Sequence, residues 1–170
     1  NNARYYGGSC GTTNETNWAN IMPMFHTSGC GMITLGCLQA GCRMLLFSMF
    51  DPNAVLQQLE ATRANIILGV PTMVIALLDQ QEYCKYDLSS LKLVSCGGST
   101  VAPELVRRVH SIFSAGFSTV YGQTENCPVI TQHHIDDSVD DICNTAGQPV
   151  PQTEVSIRSI DENHSIKIGE

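Results

Sequence analysis

Basic side chains are scarce in this 170-residue sequence: nine Lys+Arg stand against sixteen Asp+Glu, for a formal charge of −7. The nine are scattered, so neither the basic face of a nucleic-acid binder nor a polybasic membrane anchor is present. A polyphosphate ligand would need its charge held by backbone N–H groups, a metal or residues elsewhere. Apolar runs are short as well. None reaches the roughly 18 residues that suggest a membrane-spanning helix, and the longest candidate, Gly29–Gln39, is broken by glycines. Cysteine is plentiful, with eight, but no two are spaced as Cys-x-x-Cys. With no secretory leader in view, they read as reduced, buried, small hydrophobes of a cytoplasmic protein, not as a disulfide framework. At 43% hydrophobic and 15% charged residues, the chain can bury a globular core. It is expected to be an internal piece of a longer protein.

Short apolar strands alternate with amphipathic helices from about residue 19. "NIMPMF", "RMLLF", "NIILGV", "LKLVSCG" and "FSTVYG" read as strands. Asp51-Pro52 predicts a helix start, with Asp as cap and Pro preset in φ at the first helical position. Pro71 and Pro103 open two more helices, and Gly116 is placed to end the last in the left-handed conformation. The alternation implies an α/β fold, a mostly parallel sheet flanked by helices, over residues 1–128. Beyond 128 the texture becomes loop-rich and acidic. Period-two alternation at Val155, Ile157, Ile166 and Ile168 around Asp161–His164 predicts an antiparallel hairpin, the start of a second, more antiparallel subdomain over 129–170.

In such sheets ligands bind beyond the carboxyl ends of strands. Two segments end strands that way. "VSCGGST" (Val94–Thr100) offers two glycines for close backbone approach and two hydroxyls before a helix, although by itself it reads first as a plain strand-to-helix turn. "VYGQTE" (Val120–Glu125) sets a ring, a glycine, an amide, a hydroxyl and a carboxylate in a row. A ring can stack on a purine, a hydroxyl can donate to a phosphate, and a carboxylate can hold Mg²⁺. The bland alternative is a turn with Gly122 at positive φ and a solvated Glu125. His26 in "PMFHTSG" follows a strand and, taken alone, reads as structural. His133-His134 with Asp136-Asp137 and Asp140-Asp141 reads as a solvated acidic loop before a metal site; His110 and His164 carry no role.

"PMFHTSG", "GVPTM", "VSCGGSTVAPEL", "VYGQTE" and "NTAGQPVP" occur together in the order and rough spacing of the acyl-adenylate-forming (AMP-binding) enzymes. That superfamily includes acyl-CoA synthetases, aryl-CoA ligases, firefly-type luciferases and peptide-synthetase adenylation domains. The resemblance runs from about Trp18 to the end, and is nearest to fatty acyl-CoA synthetases. It implies that Gly97, Gly98, Ser99, Tyr121, Gly122 and Gln123 line the adenosine pocket. It likewise implies that the Thr124 hydroxyl meets the α-phosphate, that Glu125 ligates magnesium, and that His26, Gly69, Val70 and Pro71 border the acyl site. Thr124, Glu125 and His26 would carry the chemistry. The implied substrates are ATP with Mg²⁺, CoA and a small carboxylic acid, a fatty acid for preference, with peripheral membrane contact left open.

The family's phosphate loop, of the form TSGTTGxPKG, is missing. Gly7–Glu15 ("GGSCGTTNE") resembles it but lacks Pro-Lys-Gly and reads as a turn-rich decoy. The ribose-binding aspartate and the C-terminal lysine domain are missing too, so the piece alone is expected to be inactive. An aryl-CoA ligase, a luciferase-like enzyme and a non-catalytic binding module are the alternatives.

Overall fold

The computed structural model describes residues 1–160. Two polar side chains and three prolines set most of its punctuation. Helix α1 (Asn2–Ser9) precedes strand β1 (Asn17–Asn20), and a wide π-helical segment, Ser28–Thr34, runs on into α2 (Leu35–Ala40). There follow β2 (Arg43–Leu46), α3 (Pro52–Thr62), β3 (Ile66–Gly69), α4 (Pro71–Cys84), β4 (Leu93–Gly97), α5 (Pro103–Phe113) and β5 (Gly116–Gly122). A 3₁₀ turn at Thr124–Asn126, β6 (Val129–Gln132), α6 (Val139–Asn144) and β7 (Gln148–Pro149) complete the described residues. Asp51 caps α3 through a 2.7 Å bond from the Ala54 N–H to Oδ1, and Ser138 caps α6 likewise at 3.1 Å from Asp141 N–H. Pro52, Pro71 and Pro103 each occupy a first helical turn, where the missing N–H costs nothing.

The seven strands form one sheet in the order β2-β1-β3-β4-β5-β6-β7. The pairs from β2 to β5 are parallel, and β6 and β7 join antiparallel. Period-two alternation sorts the strand residues between two cores. Ile67, Val94, Cys96 and Phe117 face α3, α4 and α5. Ile66, Leu68, Leu93 and Trp18 face α1 and the π segment, where Tyr6, Met32 and Ile33 meet them. Burying both faces makes β3 and β4 inaccessible throughout, as expected for central parallel strands.

Several expectations need correction. The first strand is "NWAN", not "NIMPMF": pairing stops at Asn20, and Ile21–Thr27 form a loop whose Pro23 has no N–H to give a ladder. Gly116 does not end α5. Ser114 takes the left-handed conformation (φ 54°), as Arg63 and Lys85 do after α3 and α4. Gly116 instead starts β5, where an added Cβ would lie 3.2 Å from the Lys92 carbonyl that accepts its N–H. The expected antiparallel ending is present, but it is built by β5–β6–β7. Val155 and Ile157 are exposed in no regular strand, and the partner half of the expected hairpin falls outside the described residues. Gly7 to Ser9 belong to α1, so only the rest of the "GGSCGTTNE" stretch is turn. Finally, three of the eight free cysteines are exposed (Cys30, Cys84, Cys127), while Cys10, Cys37 and Cys96 are buried.

Candidate functional site

All the parallel strands point their carboxyl ends the same way, and loops from five of the six strands β1–β6 meet there around a cavity of about 1200 Å³. One side of its wall comes from the loops after β1 and β2, Ile21–Ser28 and Leu46–Phe50. The middle is Leu68–Val70, Met73, Gly97 and Gly98. The far side is Val120–Glu125 with Pro128 and Val129. Ten expected site residues therefore share one cavity: His26, Gly69, Val70, Gly97, Gly98, Tyr121, Gly122, Gln123, Thr124 and Glu125. Ser99, exposed one residue further on, and Pro71, in the first turn of α4, do not reach the wall.

Glycines bring these segments together. Gly97 pairs with Val120, whose carbonyl and Cγ2 would both lie 2.5 Å from a Cβ at 97. Gly98 turns the chain at φ +84° against Val70, 3.3 Å from where its Cβ would be. The pair thus joins the ends of β3, β4 and β5. Gly122 is not left-handed; it sits at a bulge in the β5–β6 ladder, and a Cβ there would fall 1.7 Å from the Pro128 carbonyl oxygen. That same oxygen accepts the Gln123 N–H at 2.9 Å and closes a hairpin whose tip is the Thr124–Asn126 turn. The tip ends on Cys127 in the left-handed region, its N–H bonded to the Thr124 carbonyl at 3.2 Å.

The polar groups on this tip are free to take a ligand. Tyr121 is 59% exposed, unusual for a ring on a strand. Thr124 and Glu125 are exposed, and Glu125 makes no ion pair among the described residues. A hydroxyl and a carboxylate side by side are the hard oxygen donors that Mg²⁺ takes when phosphates supply its other ligands, so the residues present suit that ion. No Lys or Arg lines the cavity among the described residues.

Across the cavity, His26 Nδ1 accepts the Ser28 N–H at 3.1 Å and lies 2.7 Å from Ser28 Oγ. A backbone N–H can only donate, so in the neutral ring the proton resides on Nε2, which leaves His26 a donor. Its loop is folded by the His26 N–H on the Pro23 carbonyl at 3.0 Å. Asn20, which sequence reasoning passed over, is wholly buried beneath this loop and bonded to both of its ends. An Asn at the close of an apolar strand is a usable signal, since a buried amide needs partners. His133 is also inaccessible, at 1% exposure, which overturns its reading as part of a solvated loop. Its Nδ1 meets the Thr119 hydroxyl and its Nε2 the Thr145 hydroxyl at 2.8 Å, tying β5 and β6 to the end of α6. Among the described residues no group of three or more His, Cys, Asp and Glu side chains is placed to hold a metal ion.

The AMP-binding enzyme family model matches residues 2–170. The chain belongs to this family. Among curated relatives, a putative acyl-CoA synthetase, YngI of Bacillus subtilis (strain 168), is 35% identical over 158 residues, covering 92% of this chain and 29% of that protein. The human mitochondrial medium-chain acyl-CoA ligase ACSF2 is 30% identical over 149 residues, 86% of this chain and 24% of that one. The chain thus spans only 24–29% of the length of these two relatives. Among solved structures, a long-chain-fatty-acid-CoA ligase (FadD1) from Archaeoglobus fulgidus superposes with a TM-score of 0.90 at 24% identity, over 99% of this chain and 35% of that chain. O-succinylbenzoate CoA synthetase from Bacillus subtilis, in complex with ATP and magnesium ion, gives 0.85 at 22%, over 99% and 34%.

Proposed function

We propose that this chain is the nucleotide- and acyl-binding segment of an ATP-dependent acyl-CoA synthetase, which joins a carboxylic acid to CoA through an acyl-adenylate. One observation carries the reading: a single cavity has the Tyr121–Glu125 hairpin tip at one end and an apolar wall at the other. In this reading Tyr121 lies along adenine beside Gly97, Gly98, Gly122 and Gln123. The Thr124 hydroxyl donates to the α-phosphate, and Glu125 holds Mg²⁺, which when bound would neutralise phosphate charge. Near the opposite wall His26 Nε2–H orients the acid's carboxyl group. The carboxylate attacks the α-phosphorus, pyrophosphate leaves, and the CoA thiol then displaces AMP. Positioning the carboxylate in line is the chain's main contribution, because the reactants themselves carry the nucleophile and leaving group. Ser99 and Pro71 would support the Gly98 turn and the Val70 wall from behind.

The acid is proposed to be an aliphatic, fatty one. Five of the chain's six methionines (Met22, Met24, Met32, Met49 and Met73) line this cavity, and unbranched thioethers mould to flexible chains. An aryl acid is the second reading. Phe25, Phe47 and Phe50 share the wall, and a feruloyl-CoA synthase of Amycolatopsis sp is 33% identical over 146 residues, 78% of this chain and 30% of that protein. Acid-dependent pyrophosphate exchange in the complete protein, run over straight-chain and cinnamic-type acids, decides between them. Absence of exchange with every acid would sink the synthetase reading in favour of a binding module. Among the described residues no helix is long and apolar enough to cross a membrane; a cytoplasmic location, and a second, more antiparallel subdomain beginning near residue 129, complete the proposal.

A further inference from the structure

Asn20 is the last residue of β1, with no accessible surface. Its Oδ1 accepts the Met22 N–H at 3.1 Å, and its Nδ2 donates to the Gly29 carbonyl at 3.1 Å. Those two partners stand at the beginning and the end of the loop that carries His26. The same amide nitrogen lies 3.5 Å from Met24 Sδ and 3.7 Å from Met44 Sδ. Thr34 repeats the pattern from the π segment, with Oγ1 2.8 Å from the Gly29 carbonyl and 3.5 Å from both sulfurs. Gly29 is pinned between: a Cβ there would lie 2.4 Å from the Pro23 carbonyl, so the loop is folded directly onto it.

We infer that Asn20 is a positioning residue for the acyl side of the site, fixing the His26 loop and the Met24 wall through one buried amide. The inference rests on the synthetase reading above. An alanine would leave the Met22 N–H without its partner in a half-buried place and the Gly29 carbonyl dependent on Thr34 alone. Nothing in this set of contacts reaches the Tyr121–Glu125 hairpin. Loss of the brace therefore displaces the acid and His26 while leaving the nucleotide turn in place, and a misplacement of about 1 Å can cost on the order of a hundredfold in rate.

The test measures acid-dependent pyrophosphate exchange and backbone hydrogen exchange in the complete protein carrying Asn20→Ala, Asn20→Asp or Thr34→Val. Expected is a rise in the KM for the acid of about tenfold or more in both Asn20 variants, with the KM for Mg·ATP within twofold. Thr34→Val, which keeps shape and removes only the second donor, shifts the acid KM in the same direction by less. Amides of residues 21–30 exchange faster in Asn20→Ala. An unchanged acid KM, or acid and ATP constants moving together, overturns the inference, because general destabilisation does not select one substrate. Unaltered hydrogen exchange over 21–30 overturns it as well. If the unsubstituted protein shows no acid-dependent exchange, the synthetase reading fails, and the amide exchange still decides whether Asn20 holds the loop.

Discussion

Gly122→Ala tests the hairpin that presents Tyr121 to Glu125. A Cβ at this position would stand 1.7 Å from the Pro128 carbonyl oxygen, 2.7 Å from its carbon and 3.1 Å from Val129 Cα. All three are backbone atoms, so no side chain can swing aside; β5 and β6 must part by more than about 1 Å. The displaced oxygen is the acceptor of the Gln123 N–H, so the bond that closes the hairpin breaks with it. Overpacking of this kind costs about 1–3 kcal/mol, and the lost bond adds about 1 kcal/mol. Together that is about 2–4 kcal/mol, read from the denaturant midpoint at constant slope. The tip carrying Thr124 and Glu125 moves with the strand, so the KM for Mg·ATP rises by about tenfold or more. Gly8→Ala is the control: it is exposed within α1, nothing lies within 4 Å of the added methyl, and the change should stabilise by about 0.5–1 kcal/mol. Gly122→Ala with stability within about 0.5 kcal/mol of the parent, and an unchanged KM for Mg·ATP, would falsify the close-approach argument.

Glu125→Ala should lower acid-dependent pyrophosphate exchange by about a hundredfold, yet leave stability within about 0.5 kcal/mol, since the side chain is exposed. Undiminished exchange refutes the metal-holding role. A second expectation concerns alkali. Burial pushes the thiols of Cys10 and Cys96 up to about 12, while the ordinary value in an open chain is 9.0. Above pH 9 the unfolded chain therefore loses protons that the folded chain keeps, and stability falls as pH rises toward 12, by about 1.4 kcal/mol per unit for each thiol. Cys96→Ala should remove about one such increment from the slope measured between pH 9.5 and 11; an unaltered slope contradicts the assignment. Below about pH 7, where the thiol is protonated in both states, neither contributes any pH dependence.

Helix starts were legible because proline advertises them: Pro52, Pro71 and Pro103 each begin a helix where the sequence places one. Helix ends were not. The left-handed residue that stops α3, α4 and α5 is Arg63, Lys85 or Ser114, each adopting at some cost a conformation for which glycine is the usual mark. The "VYGQTE" string was visible as a site, but the reason for its glycine was not. A tight turn and a close approach leave the same letter, and only the position of Pro128 distinguishes them. The first strand was misplaced because "NIMPMF" is apolar, whereas all of it after Asn20 is loop wall of the cavity. Asn20 and His133 escaped for a common reason: their partners lie elsewhere in the fold, at Gly29 and Met44 for one and at Thr119 and Thr145 for the other.

The two ends of the cavity owe their different chemistry to sheet topology. Parallel strands β1 and β2 each leave the sheet into a loop that must travel to a helix, and these loops bring apolar side chains. The antiparallel return of β6 makes the chain after β5 a hairpin instead, standing at the same edge with its polar tip exposed. Asn20 belongs to the first arrangement and Gly122 to the second, with β3 and β4 between their strands. Three strand spacings separate β1 from β5, roughly 14 Å, and the two residues share no hydrogen-bond partner. Their effects should accordingly be independent. In a protein carrying both Asn20→Ala and Gly122→Ala, the losses in kcat/KM, expressed as free energies, add to within about 0.5 kcal/mol. A coupling above about 1 kcal/mol would mean that the acid and nucleotide ends are not separately built, and that the hairpin and the His26 loop move as one unit.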